Sequence, residues 1–385
     1  MKKVRFGVIG LGVIGQQHLE KIADLKTTEV TAVCDIDQNV SKATASKYGC
    51  ASFTKYPELL KERICDAILI ATPHYQHTPI GIDALKAGYH VLIEKPLSVH
   101  KADCERLLSV PRDKNQIFAI MLNLRTDLKF KKAKRLIADG ELGNITRVNW
   151  IVTDWFRTDA YYGLCNWRAT WEGEGGGVLL NQCPHQIDML IWLCGMPSCV
   201  RGFCGLGKQH KIEVEDEVTA YFEYPNGATG VFIASTGEAP GTNRLEICGD
   251  LGKILIENNK IIFTKNEISA SDYIRTSKEL FSRPQNTTEE EILENNPLMH
   301  RDIIENFSNA ILFGEKLIAP AEEGIYSVEL ANAILYSSLI GRTVDIPIDS
   351  RLFEKQLLGL IEASRKNGLN VKNNTHLIKG KTACI

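Results

Sequence analysis

Residues 4–36 read VRFGVIGLGVIGQQHLEKIADLKTTEVTAVCDI, and no other stretch restricts the fold as much. An apolar strand runs into Gly10-Leu11-Gly12-Val13-Ile14-Gly15, a helical stretch follows, and a second apolar strand ends at Asp35, twenty residues after Gly15. A G-x-G-x-x-G alone says little; placed between a strand and a helix, with an acid closing the next strand, it predicts a dinucleotide loop. Gly10 permits the tight turn, Gly12 lets the backbone approach a pyrophosphate, and Gly15 lets helix and strand pack closely. The helix start then offers unpaired N–H groups and the positive end of its dipole to the phosphates. Leu11, Val13 and Ile14 share that loop. A carboxylate at Asp35 can accept both ribose hydroxyls and repels a 2′-phosphate, and no Arg or Lys follows in DIDQN to reverse this, so NAD is expected in preference to NADP.

The same grammar continues to residue 122. EVTAVCDI, CDAILIAT, HVLIEK and IFAIML are Val- and Ile-rich strands separated by helical stretches, which predicts a parallel sheet of βαβ units. From about residue 145 strands follow one another, with PNG at 225–227, GDLG at 249–252 and NN at 258–259 as tight turns, which predicts an antiparallel meander. Amphipathic helices close the chain, and the polar stretch 268–298 reads as an excursion outside the core. The expected class is α/β: a Rossmann domain at 1–122, then an α+β domain at 123–385 with a large, mostly antiparallel open sheet and terminal helices packing partly back. A net charge of −2 gives no basic field for nucleic acid or an anionic membrane. No apolar run reaches the ~20 residues of a bilayer span, and no secretory leader is read at the N-terminus. Eleven scattered cysteines without a C-x-x-C pair point to reduced thiols, no metal site and a cytoplasmic setting.

Three segments carry candidate chemistry. ATPHYQH (71–77) and EKPLS (94–98) follow apolar strands, and ligands of open α/β sheets bind beyond the carboxyl ends of strands. In GGGVLLNQCPHQID (175–188), Asn181, His185 and Asp188 recur at helical spacing; Pro184 requires a helix start or kink near Asn181. The loop 153–177 sets Trp155, Phe156, Tyr161, Tyr162, Trp167 and Trp171 among Asp154, Arg157, Asp159 and Arg168, which suits a pyranose with apolar faces and polar edges; the alternative is a cover for the sheet or a subunit contact.

GVIGLGVIGQQH, ATPHYQH, EKPLS, LNLR, ELGNITRV, Trp167-Arg168 and GGGVLLNQCPHQID occur in one order, and this order resembles the glucose–fructose oxidoreductase / inositol dehydrogenase (Gfo/Idh/MocA) family. The closing GIYSVELANAILYSSLIGRTVDIPI is similar to that family as well. The resemblance implies hydride transfer between a nicotinamide and a secondary hydroxyl or keto group of a sugar, glycoside or cyclitol. It implies that Gly10, Gly12, Gly15, Asp35, Thr72, Pro73, His77, Glu94, Lys95 and Asn123 touch the dinucleotide, with Trp167 and Arg168 near its nicotinamide end. It further implies His185 as general base or acid with Lys95 beside it, and Lys95, Asn123, Asp154, Arg157, Trp167, Asn181 and His185 around substrate. One departure stands out: the family usually carries aspartate four residues before the histidine, where this chain has Asn181, which suggests a substrate-binding amide that holds no charge. Asp188 reads as support more than as catalyst. Two rival readings share the fold: an enzyme that recycles bound NAD to cleave or isomerise a glycoside, and a catalytically weak sugar or NAD sensor. Self-association through the open sheet, as dimer or tetramer, is expected.

Overall fold

A computed structural model describes residues 2–294 and 296–366; the stretch 367–385, where the expected C-terminal domain ends, lies outside the described residues, as do Met1 and Asn295. Six parallel strands form the first sheet: β1 (Val4–Ile9), β2 (Thr28–Cys34), β3 (Ala51–Phe53), β4 (Ala67–Ile70), β5 (His90–Ile93) and β6 (Phe118–Ile120). Their order, β3-β2-β1-β4-β5-β6, reverses direction between β1 and β4, which opens a crevice at the strands' carboxyl ends. Between the strands run α1 (Val13–Asp24), α2 (Gln38–Tyr48), α3 (Tyr56–Glu62), α4 (His77–Lys86) and α5 (Lys101–Leu108). β4 and β5 are buried along nearly their whole length, as a sheet covered on both faces requires.

α6 (Leu128–Ala138) leads into the second sheet. Nine strands lie side by side in it: β7 (Ile145–Val152), β8 (Cys199–Leu206), β9 (Glu215–Glu223), β10 (Thr229–Ser235), β11 (Asn243–Gly249), β12 (Gly252–Glu257), β13 (Lys260–Asn266), β14 (Asn286–Ile292) and β15 (Val344–Asp345). The pairing is antiparallel except between β7 and β10, because β7 inserts between β11 and β10 and splits the expected meander in two. The expected excursion at 268–298 does stay out of the core: it holds α9 (Ala270–Thr276) and the wholly exposed edge strand β14. α7 (Asp159–Tyr162) and α8 (Pro184–Cys194) belong to the segment between β7 and β8.

The last helices, α10 (Met299–Phe313), α11 (Gly324–Ile340) and α12 (Ser350–Lys366), join the two halves. Ile303, Ile304 and Phe307 of α10 sit in the same apolar core as β1 and β4, with the Phe307 ring 5.9 Å from that of Phe6. α11 lies on β8 and α8, and its Glu329 takes the buried Lys101 ammonium at 2.6 Å while Asn332 accepts from the Lys101 amide at 2.9 Å. Among the described residues nine cysteines are free thiols; Cys165 is disulfide-bonded, against the expectation of reduced thiols throughout.

Candidate active site

The glycine loop leaves β1 and enters α1 at the crevice. Gly10 has φ +91°, and a Cβ there would lie 2.5 Å from the Ala71 carbonyl oxygen; a Cβ on Gly15 would lie 2.0 Å from the Gly10 oxygen. Both positions therefore require glycine. Gly12 caps α1 without a side-chain hydrogen bond, so the helix's first N–H groups remain available to an anion. Asp35 is pinned beside the loop: Oδ2 accepts from the Leu11 amide at 2.8 Å and Oδ1 from the Asp37 amide at 2.9 Å. A glycine turn, an uncapped helix start and a fixed carboxylate together fit a dinucleotide, and Thr72, after β4, adds a buried hydroxyl with no partner among the described residues.

The strand ends also hold internal struts. His77 is fully buried, with Nδ1 2.8 Å from the Pro96 oxygen and Nε2 2.9 Å from the Thr72 oxygen. Burial favours the neutral ring, which donates from one nitrogen to one of these two carbonyls and so braces a strand-end loop. Glu94 is similarly engaged: Oε1 meets His18 Nε2 at 2.6 Å and Oε2 accepts from the Lys95 amide at 3.0 Å. Burial alone would raise its pKa, but the His18 bond, helped by His300 and Lys95, holds it down at about 2. Lys95 points across the crevice, and its Nζ donates to the Asn181 carbonyl at 2.8 Å. Burial lowers its pKa, while Glu94 and Glu174 partly restore it.

Asn181 and His185 do not share a helix face. α8 starts at Pro184 with Cys183 as its cap, because proline is favoured at a first helical position, where its missing N–H costs nothing. Asn181 therefore lies in the preceding turn, whose glycines allow a close packing: a Cβ on Gly177 would lie 2.0 Å from the Glu215 oxygen. Glu215 is buried below that turn, with Oε1 accepting from the Gly177 amide at 2.8 Å and the Leu179 amide at 3.1 Å. His185 keeps a buried Nδ1 without a partner among the described residues. Burial and then the neighbouring Lys95 ammonium push its pKa down to about 3, so the imidazole is neutral across the physiological range. Asp188 turns away from both, accepting from Arg125 at 2.9 and 2.6 Å with the pair almost fully buried.

Around these groups stand Glu174 and His300, which were not singled out in the sequence, beside the expected Asn123 and the His74 of the ATPHYQH segment. Glu174, only 1% exposed, accepts from the Ala169 amide at 2.7 Å and from the Asn181 side-chain amide. His74 is buried edge-on to Trp167, and His300 packs on His18 with ring centroids 5.5 Å apart. Asn123 Nδ2 lies 3.2 Å from the His300 ring nitrogens, and its buried Oδ1 has no partner among the described residues. Adjacency to the glycine run was the one sequence signal for Glu174; His300 carried none, since it sits 115 residues beyond His185 at the start of a helix that otherwise serves the core.

The aromatic loop divides in two. Tyr162 and Trp171 are core residues, whereas Tyr161 and Trp167 sandwich the Arg168 guanidinium at 4.7 and 5.0 Å, with Arg168 also bonded to the Tyr161 hydroxyl at 2.6 Å. Arg157 covers Trp155 and Tyr161, and the exposed Asp154 accepts from Asn243 at 3.1 Å. The crevice thus gathers Lys95, Asn181 and His185 at one point, with Trp167 and Arg168 linked to it through His74 and Glu174; Asp154, just after β7, acts electrostatically on the buried Cys183 beside them, and Arg157 stacks on Trp155 and Tyr161. Among the described residues no group of His, Cys, Asp and Glu could hold a metal, and no helix is long and apolar enough to cross a membrane.

Comparison with known proteins agrees with this geometry. Uncharacterized oxidoreductase YrbE of Bacillus subtilis is 25% identical over 90% of this chain and 97% of its own length. Myo-inositol 2-dehydrogenase of Thermotoga maritima is 28% identical over 66% and 75%, and D-glucoside 3-dehydrogenase of Escherichia coli 25% over 89% and 97%. The solved WlbA dehydrogenase from Bordetella pertussis, in complex with NADH and UDP-GlcNAcA, superposes with a TM-score of 0.77 at 25% identity, covering 90% of this chain and all of that one. Residues 4–122 match the oxidoreductase family with an NAD-binding Rossmann fold and 130–255 its GFO/IDH/MocA C-terminal domain, so a chain whose glycine loop, strand-end lysine and glycine-backed histidine converge on one crevice belongs to the Gfo/Idh/MocA oxidoreductases.

Proposed function

We propose that this oxidoreductase moves a hydride between NAD and a secondary hydroxyl or keto group of a sugar, glycoside or cyclitol, with Lys95 and His185 handling the proton. The observation that carries the reading is the 2.8 Å bond from Lys95 Nζ to the Asn181 carbonyl, which brings the strand-end lysine to the segment bearing His185. Gly10, Gly12, the α1 N-terminus, Asp35 and Thr72 would hold the dinucleotide, and the bound nicotinamide supplies the hydride chemistry. The protein's own share is orientation and charge. A cationic Lys95 offsets negative charge on the reacting oxygen, and a neutral His185 can take the hydroxyl proton. Trp167 and Arg168 border the same space, and their flat faces with polar edges match a sugar ring; the names of the inositol and glucoside dehydrogenases support that substrate class. A panel of polyols, cyclitols and glycosides, followed by absorbance of reduced nicotinamide, is expected to give NADH with at least one member. Product formation without net NADH would replace the reading with internal recycling of NAD, and a panel with neither would reject it.

Asp35 supports NAD over NADP, because its fixed carboxylate faces the loop with no basic residue at 36–39 to receive a 2′-phosphate. Replacing Asp35 by Ser and Ile36 by Arg is expected to shift kcat/KM toward NADP by about 10²-fold or more, in line with one like-charge clash removed and one ion pair gained. An unchanged NAD:NADP ratio would show that Asp35 serves the loop alone. The second sheet's open face presents Phe203 and Tyr221, 56% and 40% exposed, and this supports self-association of the chain through that face, which light scattering on the purified protein reads directly. Nine free thiols favour a cytoplasmic setting, and the Cys165 disulfide runs against it; thiol titration of the protein isolated from its cell under acid quench decides between them.

A further inference from the structure

We propose that Glu174 is a positioning residue that fixes the Asn181 side chain so that it offers only an acceptor oxygen to the ligand, which restricts turnover to substrates bearing a free hydroxyl beside the reacting carbon. The inference rests on the dehydrogenase reading for its substrate consequence, but its structural half stands on the protein alone. A carboxylate can only accept hydrogen bonds, and both oxygens of Glu174 do so, one from the Ala169 amide and one from Asn181 Nδ2. The Asn181 amide therefore cannot be reversed while Glu174 is ionised. Among the described residues its Oδ1 takes no hydrogen bond, while its main-chain oxygen holds Lys95 Nζ. One residue thus anchors the ammonium through its backbone and presents an oriented carbonyl through its side chain, so the orientation reaches the point where Lys95 and His185 meet.

The arrangement also makes the acceptor sensitive to pH. Burial raises Glu174 to about 7, opposed by the Ala169 amide, Arg168 and Asn181, and assisted by Glu215 on the other side. Lys95 and Tyr162 face the same carboxyl, and His74 approaches its main-chain oxygen at 3.4 Å. Protonation would place an O–H against the Ala169 N–H or the Asn181 NH₂, so one of the two bonds is lost as pH falls through about 7 and the amide becomes free to turn. Below that pH the oriented acceptor is lost; above it the acceptor is held.

Two measurements test this, one without substrate. In the apoprotein the side-chain NH₂ signals of Asn181, assigned by their loss in Asn181→Asp, are expected to shift with a midpoint near pH 7 and to stop shifting in Glu174→Gln. Signals that ignore both pH and the Gln variant would overturn the proposal whether or not a substrate is known. In turnover, Glu174→Gln is expected to raise KM roughly tenfold, about one hydrogen bond's worth, with a smaller change in kcat and loss of the acid limb near pH 7. Asn181→Asp alone sets two carboxylates against each other and is expected to be worse. The double variant Glu174→Gln/Asn181→Asp restores a donor facing an acceptor, and KM is expected to return to within about threefold of the parent, less than half of a single hydrogen bond's effect. A merely structural Glu174 would give no such rescue, so a double variant as poor as the product of the two single ones would reject the proposal. Failure of the parent enzyme on every polyol and glycoside condemns the dehydrogenase reading instead and leaves the NMR result to decide Glu174.

Discussion

Alanine in place of His185 is expected to lower kcat by about 10²–10⁴-fold, the usual worth of a positioned proton acceptor, while NAD still binds. The histidine stands at the first turn of α8, away from the glycine loop, so its removal leaves the dinucleotide cradle intact. Its ring is held neutral by burial and by Lys95, which is the form able to receive a proton as hydride departs. Lys95→Ala is expected to cost about 10²–10³-fold, as removal of one preorganised donor to a developing oxyanion does. The two losses should not multiply, because the lysine lowers the barrier for the very proton that the histidine receives. Steady-state kcat for both single variants and the double variant, beside NADH fluorescence titrations, reads this directly. Turnover within a few-fold of the parent in either single variant would remove that residue from the chemistry.

Asp188→Ala is expected to destabilise the protein by about 3–5 kcal/mol, since it leaves the Arg125 guanidinium buried with one of its two carboxylate partners gone. Arg125 keeps Glu323, which lies nearer the surface, so the lower end of that range is expected. The pair joins the segment after β6 to α8, and its loss should therefore also loosen the helix that carries His185. Replacing both residues together, Arg125→Met with Asp188→Leu, removes the buried pair and leaves the half-exposed Glu323 to solvent, and is expected to recover most of the stability, as buried pairs exchanged for apolar groups commonly do. Urea unfolding of the single and double variants measures it. Single variants within about 0.5 kcal/mol of the parent, the range of ordinary surface changes, would show that the pair does not hold the helix.

The parallel sheet and the glycine loop were legible in the sequence because each is local: a strand, a turn and a helix carry their own periodicity and their own glycines. The chemistry around Lys95 was legible as residues and hidden as geometry. Asn181, His185 and Asp188 have helical spacing, yet Pro184 starts the helix between the first two, and Asp188 answers an arginine 63 residues earlier. His77 sits in a motif that suggests a ligand contact, and the structure sets its ring between the main-chain oxygens of Thr72 and Pro96, a placement that the motif does not report. His300 meets His18 and Asn123 across more than 170 residues, and no local pattern reports such pairings; Glu174 binds residues only five and seven positions away, but in a turn without helical or strand periodicity to mark them. The break in the antiparallel order at β7 and β10 was equally out of reach, since strand insertion is decided by packing and not by spacing.

The packing of Phe307 on Phe6 has a consequence for how the chain is made. The core beneath β1 and β4 takes in Ile303, Ile304, Phe307 and Val328, so the nucleotide sheet lacks part of its cover when its own strands have left the ribosome. Until those later helices emerge, apolar residues of the first half such as Phe6 wait partly uncovered. Contacts this far apart in sequence are slow to form, and a long-lived exposed intermediate is the natural client of a chaperone. The first 122 residues look like a module in the sequence; during synthesis they are an unfinished one.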